Sequence, residues 1–348
     1  MKIGFYNDFK PCIVKPDGVV DISDVVSSIG FQPLGGTTPM GVRSVGAGSR
    51  IQSLTAHQLS LEALLTHFDE VRDRLAALEQ SGAVIPHDQV RMRQPVPRPG
   101  KVLCGQGNYM EGVKLDPPRP LQTFFKSPDA VIGPGDTVVL PSFRPTIFNH
   151  EAELAAVIGK AAKNVSIADA LSYVFGYTTA IDVSARAPEQ GEAELPGTAP
   201  AHYGKSFDTF LPLGPAIVTA DEVGDPNHLR VQYWVNEEPR QDYNTSDMEH
   251  SLAYVIAAMS HIMTLKPGDV ILAGTNHAHL GPLQDGDLGE IEIEKVGRNS
   301  HLVEDALKRT WDPHQLNDPA VMTKRREGLK DQPHPGNWPF QKVGGDYI

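Results

Sequence analysis

Apolar residues in this chain come mostly in short alternating bursts, and they keep helical spacing in only a few stretches. Residues 2–6, 12–14 and 19–22 are β-type runs, and Pro16-Asp17-Gly18 supplies the turn between the last two. Leu61, Leu64, Leu65, Phe68, Val71, Leu75 and Leu78 then recur at helical intervals. Ser60 is placed to cap the start of that helix and Gly82 to stop its end. Pro95, Pro97 and Pro99 make a stiff, extended connector, so residues 1–95 are expected to form a small N-terminal α/β module.

Residues 101–299 read as short strands and turns. Gly133-Pro134-Gly135-Asp136 and Lys266-Pro267-Gly268-Asp269 are turn signals just ahead of the apolar runs 137–140 and 270–273. Residues 167–174 and 248–265 are more helical. The expected fold class is therefore α+β, mostly β. Residues 300–348 hold seven basic and seven acidic side chains and five prolines, which predicts an extended tail. Trp311, Trp338, Phe340 and Tyr347 give that tail too much aromatic surface to be left free, so it is expected to dock on its own body or on a partner subunit.

Composition narrows the function. Apolar residues are 40% and charged residues 21% of 348, enough for a packed core and a solvated surface, which excludes disordered, collagen-like and coiled-coil classes. Gly 32 and Pro 29 favour turns and strands over long helices. A net charge of −12 argues against a nucleic-acid backbone or an anionic membrane as partner. Cys12 and Cys104 cannot build a disulfide framework, and neither has zinc-ligand spacing around it. Residues 1–10 already carry Asn7, Asp8 and Lys10, unlike a secretory leader. The longest uncharged stretch, 251–265, is broken by His261 and too short to span a bilayer. A soluble, cytoplasmic protein is expected.

Three segments could carry chemistry. In Asn149-His150-Glu151-Ala152-Glu153-Leu154, positions two apart share one face of a strand, so Glu151 and Glu153 point the same way. Paired carboxylates resist joint ionisation unless a cation sits between them, and an oxygen-only set suits Mg²⁺, Mn²⁺ or Ca²⁺. The spacing alone is weak: Glu290, Glu292 and Glu294 repeat it and read as a solvated strand face. Asp182 ends an apolar, β-prone run, where a carboxylate is costly to bury unpaired. It could instead bridge to Arg186 or cap the next turn. Lys205, between Gly204 and Ser206, reads as a loop residue unless a divalent ion lies near, where it would lose its proton more readily and act as a base or hold an enolate oxygen.

Taken together these segments resemble the fumarylacetoacetate hydrolase family. The matching pieces are Glu151-x-Glu153-Leu-x-x-Val-Ile-Gly159, then Gly176-Tyr-Thr with Asp182-Val-Ser-Ala-Arg186. They continue with Gly204-Lys-Ser-Phe-Asp-Thr-Phe-x-Pro-Leu-Gly-Pro215, Val235-Asn236 with Arg240-Gln241, Leu265-x-Pro-Gly-Asp-Val-Ile271 and Ala273-Gly-Thr275. Their order agrees across 101–299. The resemblance implies a mixed β-roll catalytic domain, often dimeric, that holds Mg²⁺ or Mn²⁺ through three carboxylates, here Glu151, Glu153 and Asp182. It places the family's active-site lysine on Lys205, a pocket lysine on Lys126, and substrate contacts on Arg186, Thr275, Tyr109 and Gln241. It implies a small 2-oxo or 1,3-dioxo acid as substrate.

The chain departs from the family pattern at the lid. Hydrolases of the family follow Asn-Tyr with a His and a Glu that activate water; after Asn108-Tyr109 those places hold Gly112 and Leu115. Glu111 is the nearest substitute. The usual Gly-Thr-Pro becomes Gly274-Thr275-Asn276, followed by His277 and His279, which are either proton shuttles or an exposed polar loop. Glu189 replaces a glutamine expected three residues after Arg186, with Gln190 next to it. The leading expectation is hydrolytic C–C cleavage of an acylpyruvate or 1,3-dioxo acid. The lost pair predicts weak hydrolysis of simple acylpyruvates and raises decarboxylation, tautomerisation or dehydration on the same site. Any shuttle is expected from Glu111, His277 or His279. A catalytically inactive binding module is the reading from a different class, and the intact acid set with Lys205 argues against it.

Overall fold

The computed structural model describes residues 1–29, 50–142, 145–186 and 204–330, with side chains from 54 onward in the helix that opens at Arg50. Two short strands, Lys342–Val343 and Asp346–Tyr347, lie beyond. The apolar bursts become strands. The chain opens with β1 (Lys2–Tyr6), β2 (Lys10–Lys15), β3 (Gly18–Asp21), β4 (Val84–Pro86) and β5 (Met92–Arg93). Then come β6 (Val102–Gln106), β7 (Gln122–Lys126), β8 (Val131–Ile132), β9 (Thr137–Val139) and β10 (Ile147–Asn149). The middle of the chain supplies β11 (Ala152–Ile158), β12 (Val174–Ile181), β13 (Ser184–Arg186) and β14 (Leu211–Thr219). The body closes with β15 (Arg230–Val235), β16 (Glu238–Asn244), β17 (Val270–Leu272), β18 (Leu288–Ile293) and β19 (Gly297–Glu304).

One twelve-stranded sheet runs β4-β3-β2-β1-β14-β12-β11-β17-β6-β7, with β5 added on β1 and β8 on β14. A second sheet runs β16-β15-β18-β19-β9. Val231, Tyr233, Ile291 and Val303 of the second sheet share a core with Leu154, Ala156, Ile158 and Tyr177 of the first. Most pairings are antiparallel, but β17–β6, β14–β8 and β19–β9 are parallel, so the roll is mixed as expected. β11 sits at its centre. Its even positions Leu154, Ala156 and Ile158 enter that shared core, while Ala155 and Val157 enter another with Cys104, Phe124 and Leu272. Both faces of β11 are thus inside, and any carboxylate on it is forced inside as well.

Several local expectations need correction. The helix expected to start after Ser60 is two helices, Arg50–Thr66 and Phe68–Ser81. Ser60 lies within the first, its hydroxyl donating to Ala56 O at 3.2 Å, so it caps nothing. Gly82 does end the second, with its N–H on Leu78 O at 2.7 Å. Residues 167–174 yield only a 3₁₀ turn, Ala170–Tyr173, whereas 248–265 contain a true helix, Leu252–Ile262, capped by Ser251. The connector at Pro95–Pro99 does not interrupt the sheet, because β1 pairs with β14 through Lys2↔Val218 and Ile3↔Ile217. No helix among the described residues is long and apolar enough to cross a membrane.

The first part of the tail docks on its own chain. Trp311 stands edge-on to Phe148 with ring centres 5.8 Å apart, and its Nε1–H donates to Thr146 O at 2.8 Å. The helix Pro319–Glu327 follows, opened by Asp318, which accepts the Ala320 N–H at 2.8 Å. Trp338, Phe340, Glu189 and Gln190 lie outside the described residues, as does the side chain of Tyr347.

Candidate active site

The register of β11 on β12 builds an acid cluster. Ala152 faces Ile181 and Glu153 faces Ala180, and the Asp182 N–H donates to Glu151 O at 2.8 Å. With a two-residue repeat on each strand, Glu151, Glu153, Ala180 and Asp182 share one face. All three acids are buried, and one oxygen from each lies within 4.8 Å of the others. Among the described residues Glu153 takes one hydrogen bond, from the Gly274 N–H at 2.7 Å. Burial, Asp182 and Glu151 together push its carboxyl well above the ordinary range. A buried carboxylate between two others with a single donor is the arrangement a cation relieves, and three oxygen donors fit Mg²⁺ or Mn²⁺.

Three basic side chains ring the acids. Lys205 Nζ donates to Glu151 Oε2 at 2.6 Å, Asp182 Oδ2 at 2.5 Å and Ser184 Oγ at 2.7 Å, and stands 5.2 Å over the Phe124 ring. Burial would discharge it, but Asp182 and Glu151 outweigh burial and hold its ammonium more firmly charged than usual. Lys205 thus lies against the carboxylates that would hold an ion, and within this cluster it is their counter-charge. Lys126, buried on β7, donates to Asp182 Oδ1 at 2.6 Å and to the carbonyl of Lys205, so it braces the turn that presents Lys205. Arg186 turns to Glu151, and its Nε–H donates to Asn149 Oδ1 at 3.1 Å. The Asp182–Arg186 bridge weighed from sequence does not form; Asp182 takes the two lysines instead. Burial opposes the charge on Glu151, yet Lys205 and Arg186 hold its carboxyl below the ordinary range.

The loop after β17 closes the other side. Gly274 adopts φ +92°, a left-handed conformation that favours glycine, and so aims its N–H at Glu153. Thr275 Oγ1 accepts from Gln241 Nε2 at 2.8 Å, and Gln241 Oε1 accepts the Ala152 N–H at 3.1 Å. Tyr109 is buried with its ring edge-on to Tyr243, centres 5.0 Å apart, and Tyr243 OH donates to Ala152 O at 2.5 Å. Beyond Thr275 the loop brings His277 onto Glu111. Glu111 Oε1 accepts from His277 Nδ1 at 2.5 Å and from the His277 backbone N–H at 3.0 Å. Burial raises the Glu111 carboxyl, but the hydrogen bond and charge of His277 outweigh it and leave it lowered. His279 does not join them. It is exposed, and its N–H goes to Asn317 O at 2.9 Å.

Sequence reasoning missed Ser184, Asp247 and Tyr243. Ser184 stands two residues after Asp182, spacing that could have suggested it. Asp247 accepts the Glu111 N–H at 3.1 Å and Asn276 Nδ2–H at 2.9 Å, and no local pattern marks it.

The sequence pattern of the fumarylacetoacetate (FAA) hydrolase C-terminal domain matches residues 101–304. A mitochondrial oxaloacetate tautomerase of Homo sapiens is 37% identical over 269 residues, 72% of this chain and 83% of that protein. The crystal structure of maleylpyruvate hydrolase from Sphingobium sp. SYK-6 superposes with a TM-score of 0.71 at 31% identity, covering 88% of this chain and 100% of that one. A second structure of that hydrolase, in complex with manganese(II) and pyruvate, gives 0.70 at 30% identity over 88% of this chain and 99% of that one. A 5-carboxymethyl-2-hydroxymuconate delta-isomerase from Mycobacterium smegmatis gives 0.57 at 36% identity, over 65% and 84%. With the acid cluster, the mixed roll and a match over more than half its length, the chain belongs to the fumarylacetoacetate hydrolase family.

Proposed function

We propose that this chain is a divalent-metal-dependent hydrolase that cleaves a C–C bond in a small acylpyruvate or related 1,3-dioxo acid. The observation that carries the reading is the 2.5 Å contact of Glu111 with His277. It gives the chain an acid–base pair although Gly112 and Leu115 stand where the family's lid pair would be. In this reading Glu151, Glu153 and Asp182 hold Mg²⁺ or Mn²⁺. When bound, the ion supplies a Lewis acid for the 2-oxo acid group.

The rest falls to the chain's own side chains. Glu111 accepts Nδ1–H of His277, which leaves Nε2 to take a proton from water and return it to the departing carbon. Lys205 offers fixed positive charge to the enolate that forms as the bond breaks. In this reading Arg186 and Thr275 receive the substrate carboxylate, and the hydrogen bond from Gln241 orients Thr275. Tyr109 lines the same site, and a homodimer is part of the proposal. The test is a panel of acylpyruvates with Mn²⁺, following pyruvate release. Release that disappears in Glu111→Gln supports the reading; loss of enol absorbance without pyruvate sinks it.

Tautomerisation of a 2-oxo acid is the second reading, favoured by the 37% identity to an oxaloacetate tautomerase. The Glu111–His277 pair would then move a proton between carbon and oxygen with no water consumed.

A further inference from the structure

Residues beyond 304 lie outside the family pattern, yet they reach both loops that form the Glu111–His277 pair. On the Glu111 side, Thr323 Oγ1 donates to Glu111 O at 3.1 Å, and Arg326 Nε donates to Val113 O at 3.2 Å. On the His277 side, Asn317 Nδ2 donates to His277 O at 3.0 Å. The Asn317 backbone also exchanges hydrogen bonds with this loop, its N–H on Leu280 O at 2.8 Å and its carbonyl accepting from His279. Arg326 is itself fixed, buried and paired with Glu249 at 2.7 Å, the same carboxylate that Arg119 holds at 3.0 Å.

These contacts complement those from the body. Asp247 accepts the amide of Glu111 and the side-chain amide of Asn276, while the tail donates to the carbonyls of Glu111, Val113 and His277. Each loop is thus held by Asp247 from the body and by the tail from the other side. Glu111 sits at φ +51° in a segment without regular secondary structure, so such outside contacts fix where its carboxylate points.

We propose that Asn317, Thr323 and Arg326 are positioning residues for the Glu111–His277 pair, which makes the C-terminal extension part of the catalytic apparatus of this chain. The inference rests on the acid–base reading of Glu111 above. The segment that does the holding lies past the matched family domain.

The experiment compares Asn317→Ala, Thr323→Val and Arg326→Lys in the full chain, each alone and combined with Glu111→Gln. Arg326→Lys keeps a charge on Glu249 but loses the Nε donor to Val113. Each single variant is expected to lower kcat by about tenfold, below the ~10²–10⁴ that a positioned proton-transfer group supplies. KM, Mn²⁺ affinity and the thermal midpoint should stay near wild type, and the acid limb of the kcat profile should move. In the Glu111→Gln background the same substitutions should cost nothing more, since they act through that carboxylate. Equal losses in both backgrounds would mean a structural role and overturn the inference. Should Glu111→Gln be slow while all three tail variants turn over normally, this inference fails and the acid–base reading stands. Should Glu111→Gln itself be fully active, both fail together.

Discussion

Glu111 Oε1 accepts two hydrogen bonds from one residue, Nδ1–H and the backbone N–H of His277, across 166 positions of chain. The double contact fixes ring orientation and tautomer at once, which is what a general base requires. Glu111→Gln and His277→Ala are each expected to lower kcat by ~10²–10⁴ with Mn²⁺ affinity unchanged. Stopped-flow turnover alongside calorimetric Mn²⁺ titration reads both quantities, and unimpaired turnover in either variant removes the pair from the chemistry.

The same pair sets a pH dependence of stability. The Glu111 carboxyl is lowered from 4.5 on folding, so the folded state binds its proton less readily than the unfolded chain. Its contribution is therefore complete above pH 4.5 and lost as pH falls through the lowered value. Urea midpoints of wild type and Glu111→Gln should differ most above that pH and converge in acid. A difference that grows on acidification contradicts the assignment.

Lys205 Nζ holds Glu151 Oε2 and Asp182 Oδ2, so it would compete with an ion for two of the three carboxylates that would hold one. Lys205→Met should accordingly bind Mn²⁺ at least as tightly as wild type while turnover drops by ~10²–10³, the usual cost of losing one preorganised charge at developing negative charge. Weaker Mn²⁺ binding in this variant would show that the lysine supports the ion rather than the reaction.

Glu153 offers the opposite contrast, with two neighbouring carboxylates and a single backbone donor. Glu153→Ala is expected to weaken Mn²⁺ binding by more than ~100-fold, beyond the range seen when only a ligand's supporting partner is lost. It should nevertheless raise stability in ion-free buffer, because it removes a carboxyl whose ionisation burial and its two acidic neighbours oppose on folding. Calorimetry and urea melts with a chelator separate the two effects, and full Mn²⁺ affinity in the variant ends the ligand assignment.

Gly274→Ala tests the loop that reaches Glu153. At φ +92° the new Cβ would lie 3.1 Å from Asn108 Cβ and 3.3 Å from Gly105 O. A left-handed non-glycine residue costs ~1–3 kcal/mol, and relief by backbone shift would withdraw the N–H from Glu153. Lower urea stability together with weaker Mn²⁺ binding is expected; a variant unchanged in both would show the loop to be pliable.

Periodicity explains how much of this was legible beforehand. Two-residue spacing put Glu151 and Glu153 on one face, and the apolar run before Asp182 made its burial visible, because both are local properties of strands. The Glu290, Glu292 and Glu294 repeat was rightly set aside, since Glu292 and Glu294 are exposed and Arg298 pairs with Glu290 at 2.9 Å. What stayed hidden depends on which loops meet. Nothing near Glu111 announces His277, and nothing near Asn317 or Arg326 announces either. Ser60 misled because a serine inside a helix can bond back to a carbonyl one turn earlier as readily as it can cap.

The seam between β1 and β14 has a consequence for synthesis. Ile3 leaves the ribosome ~200 residues before Ile217, the neighbour it pairs with. At ~5–20 residues per second that is a wait of roughly 10–40 s, during which part of the β1 edge has no native partner. The nascent chain must carry a half-finished sheet through most of its translation, with an apolar strand edge open to any passing polypeptide.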